Sequence, residues 1–378
     1  MTEKLYEQNS HLKTFSATVL SCEKREENFV VVLDKTAFFP ESGGQIGDKG
    51  HIGKTFVFDT QIEDGVIYHF TNEEVTVGET LECRIDWYTR FMNMQNHSGE
   101  HIISGLVHKH FGYDNVGFHL SRNEMTLDFN GFLDEHDLEK IEYLANNAIY
   151  EDVPFKAYFP ENFKELEYRS KLDLTENVRI VEIEGIDRCA CCAPHVNSAA
   201  EIGVIKILNC VKNKGGVRLF VKCGIQAVSY FDLLLKNAAK VSDMLCVKRE
   251  ETALGVEKQL EQMGELKLKN TDLKHRLINE KVNNFNNDCE ITALFESDFD
   301  IKELQMYADK LYKTYGGIRA VLSGRESEYS FAICGEENSL AELLKRLKEN
   351  LNVRGGGRNS MVQGTIFATK EEILKIIL

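Results

Sequence analysis

The spacing of apolar residues changes character several times along the chain, and each change predicts a different kind of element. Over residues 15–85, β-branched and aromatic residues fill short runs such as Phe29-Val30-Val31-Val32-Leu33, Thr55-Phe56-Val57-Phe58 and Val66-Ile67-Tyr68-His69-Phe70. Asp64-Gly65 between two of them is a tight-hairpin pair, so the stretch predicts antiparallel strands in a small barrel or sandwich. Over residues 89–111 the apolar positions Met92, Met94, Ile102, Ile103, Leu106 and Val107 take helical spacing, and Gly112 is placed to end the helix. Short strands at residues 125–129, 179–183 and 217–221 flank a second helix beginning near Glu135, which makes residues 91–225 mixed α+β.

Over residues 229–283 the composition shifts to Glu, Lys, Leu and Gln. Leu245, Thr252, Val256, Leu260, Met263, Leu266, Leu273 and Leu277 recur at steps of three, four and seven, as a helical hairpin or short coiled coil requires. Strands are predicted again at residues 291–295, 318–322 and 329–334, with helices over 301–315 and 340–351 and a Gly-rich turn after them. The reading is an α+β protein in four parts: an N-terminal β-barrel domain (1–90), a mixed α/β domain (91–225), a helical spacer (226–288) and a small C-terminal α/β domain (289–378).

Composition narrows the class. With 378 residues, 43% of them hydrophobic and 28% charged, the chain can bury more than one core and is not disordered. The N-terminus lacks a signal-peptide core and no apolar run is long enough to span a membrane, so the expected location is the cytoplasm. Of the 10 cysteines, Cys189, Cys191 and Cys192 crowd into one tetrapeptide, a pattern of metal or redox chemistry rather than of a disulfide scaffold.

The residues best suited to chemistry fall in two pairs. His97 and His101 are four apart on the predicted helix, so one turn stacks both imidazoles on one face. Cys191 and His195 repeat that spacing in a loop-like stretch, and the four together make a good zinc set. Cys189 or Cys192 in place of Cys191 stays open at this point. Gln45 follows Gly43-Gly44, where the backbone can approach a ligand closely and an amide can donate and accept.

These segments resemble the editing domain of alanyl-tRNA synthetases and the free-standing AlaX proteins, whose metal motifs are His-x3-His and, much later, Cys-x3-His. Residues 36–48, Thr-Ala-Phe-Phe-Pro-Glu-Ser-Gly-Gly-Gln-Ile-Gly-Asp, are similar to that family's Thr-x-Phe-Tyr-Pro-x-x-Gly-Gly-Gln-x-x-Asp signature. Val116-Gly117-Phe118-His119-Leu120 and Leu127-Asp128-Phe129 resemble its pocket wall, and Val196 to Gly203 and Gly215-Gly216-Val217-Arg218 continue the match. Arg354-Gly355-Gly356-Gly357-Arg358 resembles part of the synthetases' C-terminal domain. Where the family usually reads Cys-Gly-Gly-Thr-His, this chain has Cys191-Cys192-Ala193-Pro194-His195.

The resemblance implies a zinc-dependent deacylase acting in trans on alanine tRNA mischarged with serine or glycine, with no aminoacylation activity of its own. It makes His97, His101, Cys191 and His195 the Zn2+ ligands, with Gln45, His97 and His101 catalytic. Thr36, Gln45, Gly117, Phe118 and Arg218 become substrate contacts. The other readings are a threonyl-type editing hydrolase and a non-catalytic zinc and RNA-binding module.

The net charge of −15 argues against a chain coated for nucleic acid, yet two islands are basic. Residues 203–224 hold Lys206, Lys212, Lys214, Arg218 and Lys222 with no acid, and residues 345–358 hold Lys345, Arg346, Lys348, Arg354 and Arg358 against Glu349. Taken with the resemblance, the second island implies tRNA contact through Arg354, Arg358 and the amides of Gly355, Gly356 and Gly357 acting as an anion nest. The helical spacer or the C-terminal domain is expected to support a homodimer.

Overall fold

A computed structural model describes residues 2–121, 124–170 and 178–378. The chain is mixed α+β and forms two compact units, Met1–Lys240 and Val241–Leu378. The boundaries expected at residues 90 and 288 therefore do not separate compact units.

In the first unit, six strands pair in the order β1 (Thr14–Arg25), β2 (Asn28–Leu33), β5 (Val66–Thr71), β4 (Thr55–Glu63), β3 (Gly50–Ile52) and β6 (Thr80–Ile85), and β6 returns to β1, closing the ring. Alternate residues Ala17, Val19, Val31, Leu33 and Val57 fill its interior with Phe38 and Ile85. His69 is enclosed with them, its Nδ1 3.0 Å from the Val31 carbonyl and its Nε2 2.9 Å from Thr36 Oγ1. Burial lowers its pKa from the ordinary 6.5 to about 4. The unfolded chain therefore binds a proton that the folded chain refuses in this window. Stability from neutral His69 is fully present above pH 6.5 and falls away toward pH 4, by about 3 kcal/mol. In urea titrations from pH 7 to pH 4.5, His69→Gln should lose less stability than the wild type; parallel losses would contradict this.

Helix α1 (Trp87–Phe111) follows directly, capped by the Asp86 side chain at its start and by left-handed Gly112 at its end. It is buried almost all round from Met92 to Val107, where an amphipathic helix would leave a solvated face. The polar side chains that this encloses are largely tied down. Asn96 accepts from the Cys223 amide, while Gln95 accepts from the Ile225 amide and donates to the Glu201 carbonyl.

Against α1 lies an antiparallel sheet ordered β12 (Ile205–Asn213), β13 (Gly216–Cys223), β8 (Met125–Phe129), β7 (Asn115–Leu120). Helix α2 (Glu135–Tyr150) begins with a capping box between Asp134 and Asp137 and buries Ile141 and Ala145 in the same core as Ile102, Val107, Leu127 and Leu219. A second sheet, β9 (Phe155–Tyr158), β10 (Ile180–Ile183) and β11 (Asp187–Ala190), brings the cysteine-rich segment back to α1.

Barrel and mixed half are held together by buried polar and apolar contacts. Arg90 of α1 is fully buried and donates through Nε to Asp48 Oδ2 at 2.8 Å, through Nη2 to the same oxygen, and to the carbonyls of Ala37 and Ser10. Tyr6, Phe39, Ile67 and Ala193 make a small shared core beside it. These contacts are the physical reason for one compact unit where the sequence suggests two.

Helix α3 (Gly224–Leu245) ends the first unit and runs into the second. In the second unit, helix α4 (Thr252–Asn283) precedes a sheet ordered β14 (Ile291–Glu296), β15 (Ile318–Arg325), β16 (Glu328–Cys334), β18 (Met361–Phe367), β17 (Asn352–Arg358). Alternation along the strands sends Val321 and Ala332 to a face covered by Ile278 of α4 and by α5 (Ile301–Tyr315). It sends Leu322, Phe331 and Ile333 to the face covered by α6 (Glu337–Asn350) and α7 (Lys370–Ile377).

The Gly-rich segment is not a turn. Gly355, Gly356 and Gly357 lie within β17, paired with Gly364, Gln363 and Val362. A Cβ at Gly355 would stand 2.3 Å from the Gln363 carbonyl, so glycine here serves close strand pairing, and its ladder amides are not arranged as a nest.

Candidate metal centre

Helix α1 and the loop after β11 supply the centre. His97, His101, Cys191 and His195 each present a donor atom, and all four lie within 4.8 Å of one another. Cys191 Sγ is 3.6 Å from His97 Nε2 and 3.3 Å from His195 Nε2. The rings of His97 and His101 stack at 5.5 Å, as side chains one helical turn apart do, and His195 meets both nearly edge-on.

Each imidazole is aimed by a partner on its other nitrogen. His97 Nδ1 is 2.9 Å from Gln45 Oε1, His101 Nδ1 is 3.1 Å from Asp187 Oδ2, and His195 Nδ1 is 3.1 Å from Ser98 Oγ. With Nδ1–H donating to these oxygens, each Nε2 lone pair faces the centre, the usual arrangement behind a metal-bound histidine. Asp187 is held in turn by Arg169, whose Nε and Nη2 donate at 2.7 and 2.8 Å. Burial raises the Asp187 carboxyl, but His101 and Arg169 keep its pKa below the ordinary value.

The donor chemistry fits a cation. Burial opposes ionisation of Cys191, yet the surrounding histidines hold its thiol well below the ordinary range, toward the thiolate that binds metal. Burial pushes His195 down to about 3, so it is neutral with a lone pair to give. The loop is fixed by Arg179, whose Nη1 donates to the carbonyls of Cys191 and Ala193, and by Ser10 Oγ donating to the His195 carbonyl at 2.7 Å.

Two glycines make the approach possible. At Gly44, left-handed with φ 82°, a Cβ would sit 2.6 Å from the Phe118 carbonyl, and this closeness brings Gln45 under His97. At Gly105 a Cβ would sit 2.6 Å from Asp187 Cβ, so a bare helix surface lets β11 bring Asp187 to His101.

The centre opens on a cavity of about 1330 Å³ whose lining includes His97, His101, Cys191, Phe118, Ser42 and Glu100. Phe118 packs on His97 with ring centroids 4.7 Å apart. Gln45 is fully buried, and its Nε2 has no hydrogen-bond partner among the described residues.

Other expected substrate contacts lie elsewhere. Thr36 is enclosed, its hydroxyl taken by His69 and by the Phe38 amide, because it lies inside the barrel. Gly117 faces Asp128, and Arg218 makes a two-pronged ion pair with that same Asp128 across the strands. Lys206 of the same basic island is paired with Glu142. Cys189 lies beside His101 and Asp187 but outside the four-donor set, and Cys192 is exposed with its Sγ 3.7 Å from Ser42 Oγ.

Sequence reasoning missed Asp187, Ser98, Arg169 and Glu100. Asp187 stands at the head of the cysteine-rich segment, but only strand register shows that it reaches His101. Replacing it by Asn should weaken metal affinity about 10- to 100-fold in a chelator competition, with the far-ultraviolet dichroism unchanged. Unaltered affinity would contradict its aiming role.

Comparison with known proteins finds matches along most of the chain. Residues 4–89 match the family model for class II (A) tRNA synthetases, and residues 178–220 match that for the threonyl and alanyl tRNA synthetase second additional domain. The barrel lies in the first matched segment and the Cys-x3-His loop in the second, with the buried His-x3-His helix between them. The chain is 28% identical to alanyl-tRNA editing protein AlaX-L of Pyrococcus horikoshii over 100% of its own length and 98% of the relative's. It is 26% identical to alanyl-tRNA editing protein Aarsd1 of Danio rerio, over 95% and 92%. The match to alanine–tRNA ligase of Methanococcus aeolicus, at 29% identity, takes in 96% of this chain but 41% of the ligase. Over nearly its full length the chain is thus similar to alanyl-tRNA editing proteins.

Proposed function

We propose that this protein hydrolyses the ester linking serine or glycine to mischarged alanine tRNA, at a zinc ion held by His97, His101, Cys191 and His195. The observation that carries the reading is the four-donor cluster, with an oriented partner behind each imidazole, on the wall of a large cavity. A bound zinc ion would supply positive charge to polarise the ester carbonyl or to acidify a water. The protein's own residues do the rest. Gln45 aims His97 through Oε1 and offers its Nε2 protons to an oxygen of the substrate, while Phe118 limits the space beside the centre. Such a second pocket is needed because a site sized for alanine rejects a smaller or hydroxylated amino acid poorly.

The tRNA grip is assigned to Arg354 and Arg358. They are exposed and two strand repeats apart on β17, hence on one face, and Arg358 shares a groove of about 490 Å³ with Lys345 and Lys348. For the homodimer, the support is the exposed leucine-rich surface of α4, where Leu260, Leu266 and Leu273 are each more than 60% exposed. No helix among the described residues is long and apolar enough to cross a membrane, and all ten cysteines are free, which supports work in the cytoplasm.

Deacylation assays with alanine tRNA charged with Ser, Gly or Ala test the function directly. Release of Ser and Gly with Ala spared is expected; release of none would overturn it. Salt-dependent tRNA binding by an R354E/R358E variant and sedimentation of the full chain check the two partners. Unchanged affinity or a monomer throughout would remove that partner from the reading.

A further inference from the structure

Arg179 immediately precedes β10 and is 6% exposed, and its remaining surface lines the cavity beside the centre. Its guanidinium is anchored through one nitrogen. Nη1 donates to the carbonyls of Cys191 and Ala193 at 3.0 and 2.9 Å, which ties the group to the Cys191–His195 loop. Nε is sealed without a partner. Nη2 also makes no hydrogen bond among the described residues but, unlike Nε, is not sealed from the cavity. No carboxylate among the described residues forms an ion pair with this cation. Tyr6 and Cys192, near enough to feel its charge, are a phenol and a thiol, and burial raises the Tyr6 pKa so that it stays neutral.

The other cations of the cavity are engaged. Lys4, Arg169 and Arg188 pair with Glu7, Asp187 and Glu182, and Lys109 donates to the Gly185 carbonyl. Glu100, Asp114 and Glu167 add further carboxylates to the lining. An anionic chain entering this cavity is repelled by much of its wall and meets its unmatched positive charge at Arg179, where a low-dielectric setting strengthens the attraction. The substrate of a tRNA deacylase is such a chain, since the nucleoside carrying the ester bears a phosphodiester one ribose away. Arg179 stands at a short remove from the centre too, because Nη1 binds the carbonyl of the same residue whose Sγ is a donor. We propose that Arg179 Nη2 donates to a non-bridging oxygen of the terminal phosphodiester, so that the site holds the last phosphate of the tRNA as well as the aminoacyl ester. The proposal rests on the deacylase reading and deepens it. With Nε sealed, the contact is made through one nitrogen, and a charge-assisted hydrogen bond of this kind is worth about ten- to a hundredfold in affinity.

The test uses Arg179→Gln, which retains an N–H donor but removes the charge. The probes are an amide-linked 3′-seryl analogue of adenosine carrying a 5′-methyl phosphodiester and the same compound with a free 5′-hydroxyl, titrated calorimetrically onto the full, metal-loaded chain. The wild type should bind the phosphodiester about ten- to a hundredfold more tightly than the hydroxyl compound, and R179Q should bind the two alike with its metal content unchanged. If R179Q loses metal, Arg179→Lys, which retains the charge, should keep the metal and still prefer the phosphodiester. Equal loss on both compounds in R179Q, or loss of metal in both variants, would make Arg179 an anchor of the loop alone and overturn the proposal. So would binding of neither compound, or no phosphodiester preference in the wild type. Deacylation of seryl-tRNA by the wild type, measured alongside, separates the two readings: if it persists, only the role of Arg179 has failed.

Discussion

Cys191→Ala is expected to remove metal binding and deacylation together, lowering the rate by at least about a thousandfold, or ~4 kcal/mol of transition-state stabilisation. Cys191 is the one anionic donor of the four, and its Sγ lies within 3.6 Å of two of the histidine nitrogens. Without it three imidazoles and no anion remain to hold a dication, and the neighbours do not substitute. Cys192 has its Sγ beside Ser42 Oγ, and Cys189 groups with His101 and Asp187, outside the four-donor set. Metal content by elemental analysis and single-turnover hydrolysis of seryl-tRNA read the two effects separately. Full activity in a metal-free variant would sink the metal assignment, and an unaffected metal content would move the anionic ligand to Cys189.

The second large effect is on stability. Arg90→Ala should cost about 3–5 kcal/mol, because it leaves Asp48 buried without its counter-charge. Asp48 is 1% exposed, and its Oδ2 also accepts from the Phe39 amide at 2.6 Å, so the loop that carries Gln45 depends on this carboxylate. Arg90 also holds the Ser10 carbonyl, and Ser10 in turn holds His195. Loss of stability should therefore be accompanied by a loss of activity below the unfolding temperature. Urea midpoints give the first and deacylation at low temperature the second. A double variant, Arg90→Met with Asp48→Leu, should recover much of the stability, since an apolar pair leaves no orphan charge. A change below 1 kcal/mol in the single variant would show that water reaches Asp48.

Some of the architecture was legible because local physics sets it. The helix expected over residues 89–111 is Trp87–Phe111, and the one over 301–315 is Ile301–Tyr315, since caps and glycine stops are local signals. The four donors were legible for a similar reason, as two i, i+4 pairs of chemically matched residues. Helical spacing did not disclose that α1 is buried all round, because burial of its polar face depends on what packs there. Nor did the Gly-rich segment announce itself as a strand, since Gly355 and Gly364 make sense only as partners across a ladder.

The sequence by itself determined most of the helices and strands, the α+β class, the two matched His and Cys-His pairs and the resemblance to a known family. Each depends on residues close together in the chain or on a motif read in order. The tertiary structure alone decided which side chain stands behind each histidine. Gln45, Ser98 and Asp187 are 52, 97 and 86 residues from the histidines they aim, and Thr36 and Arg218 are satisfied away from the cavity. Such assignments follow from strand register and close backbone approach at Gly44 and Gly105, and neither is encoded in any local pattern.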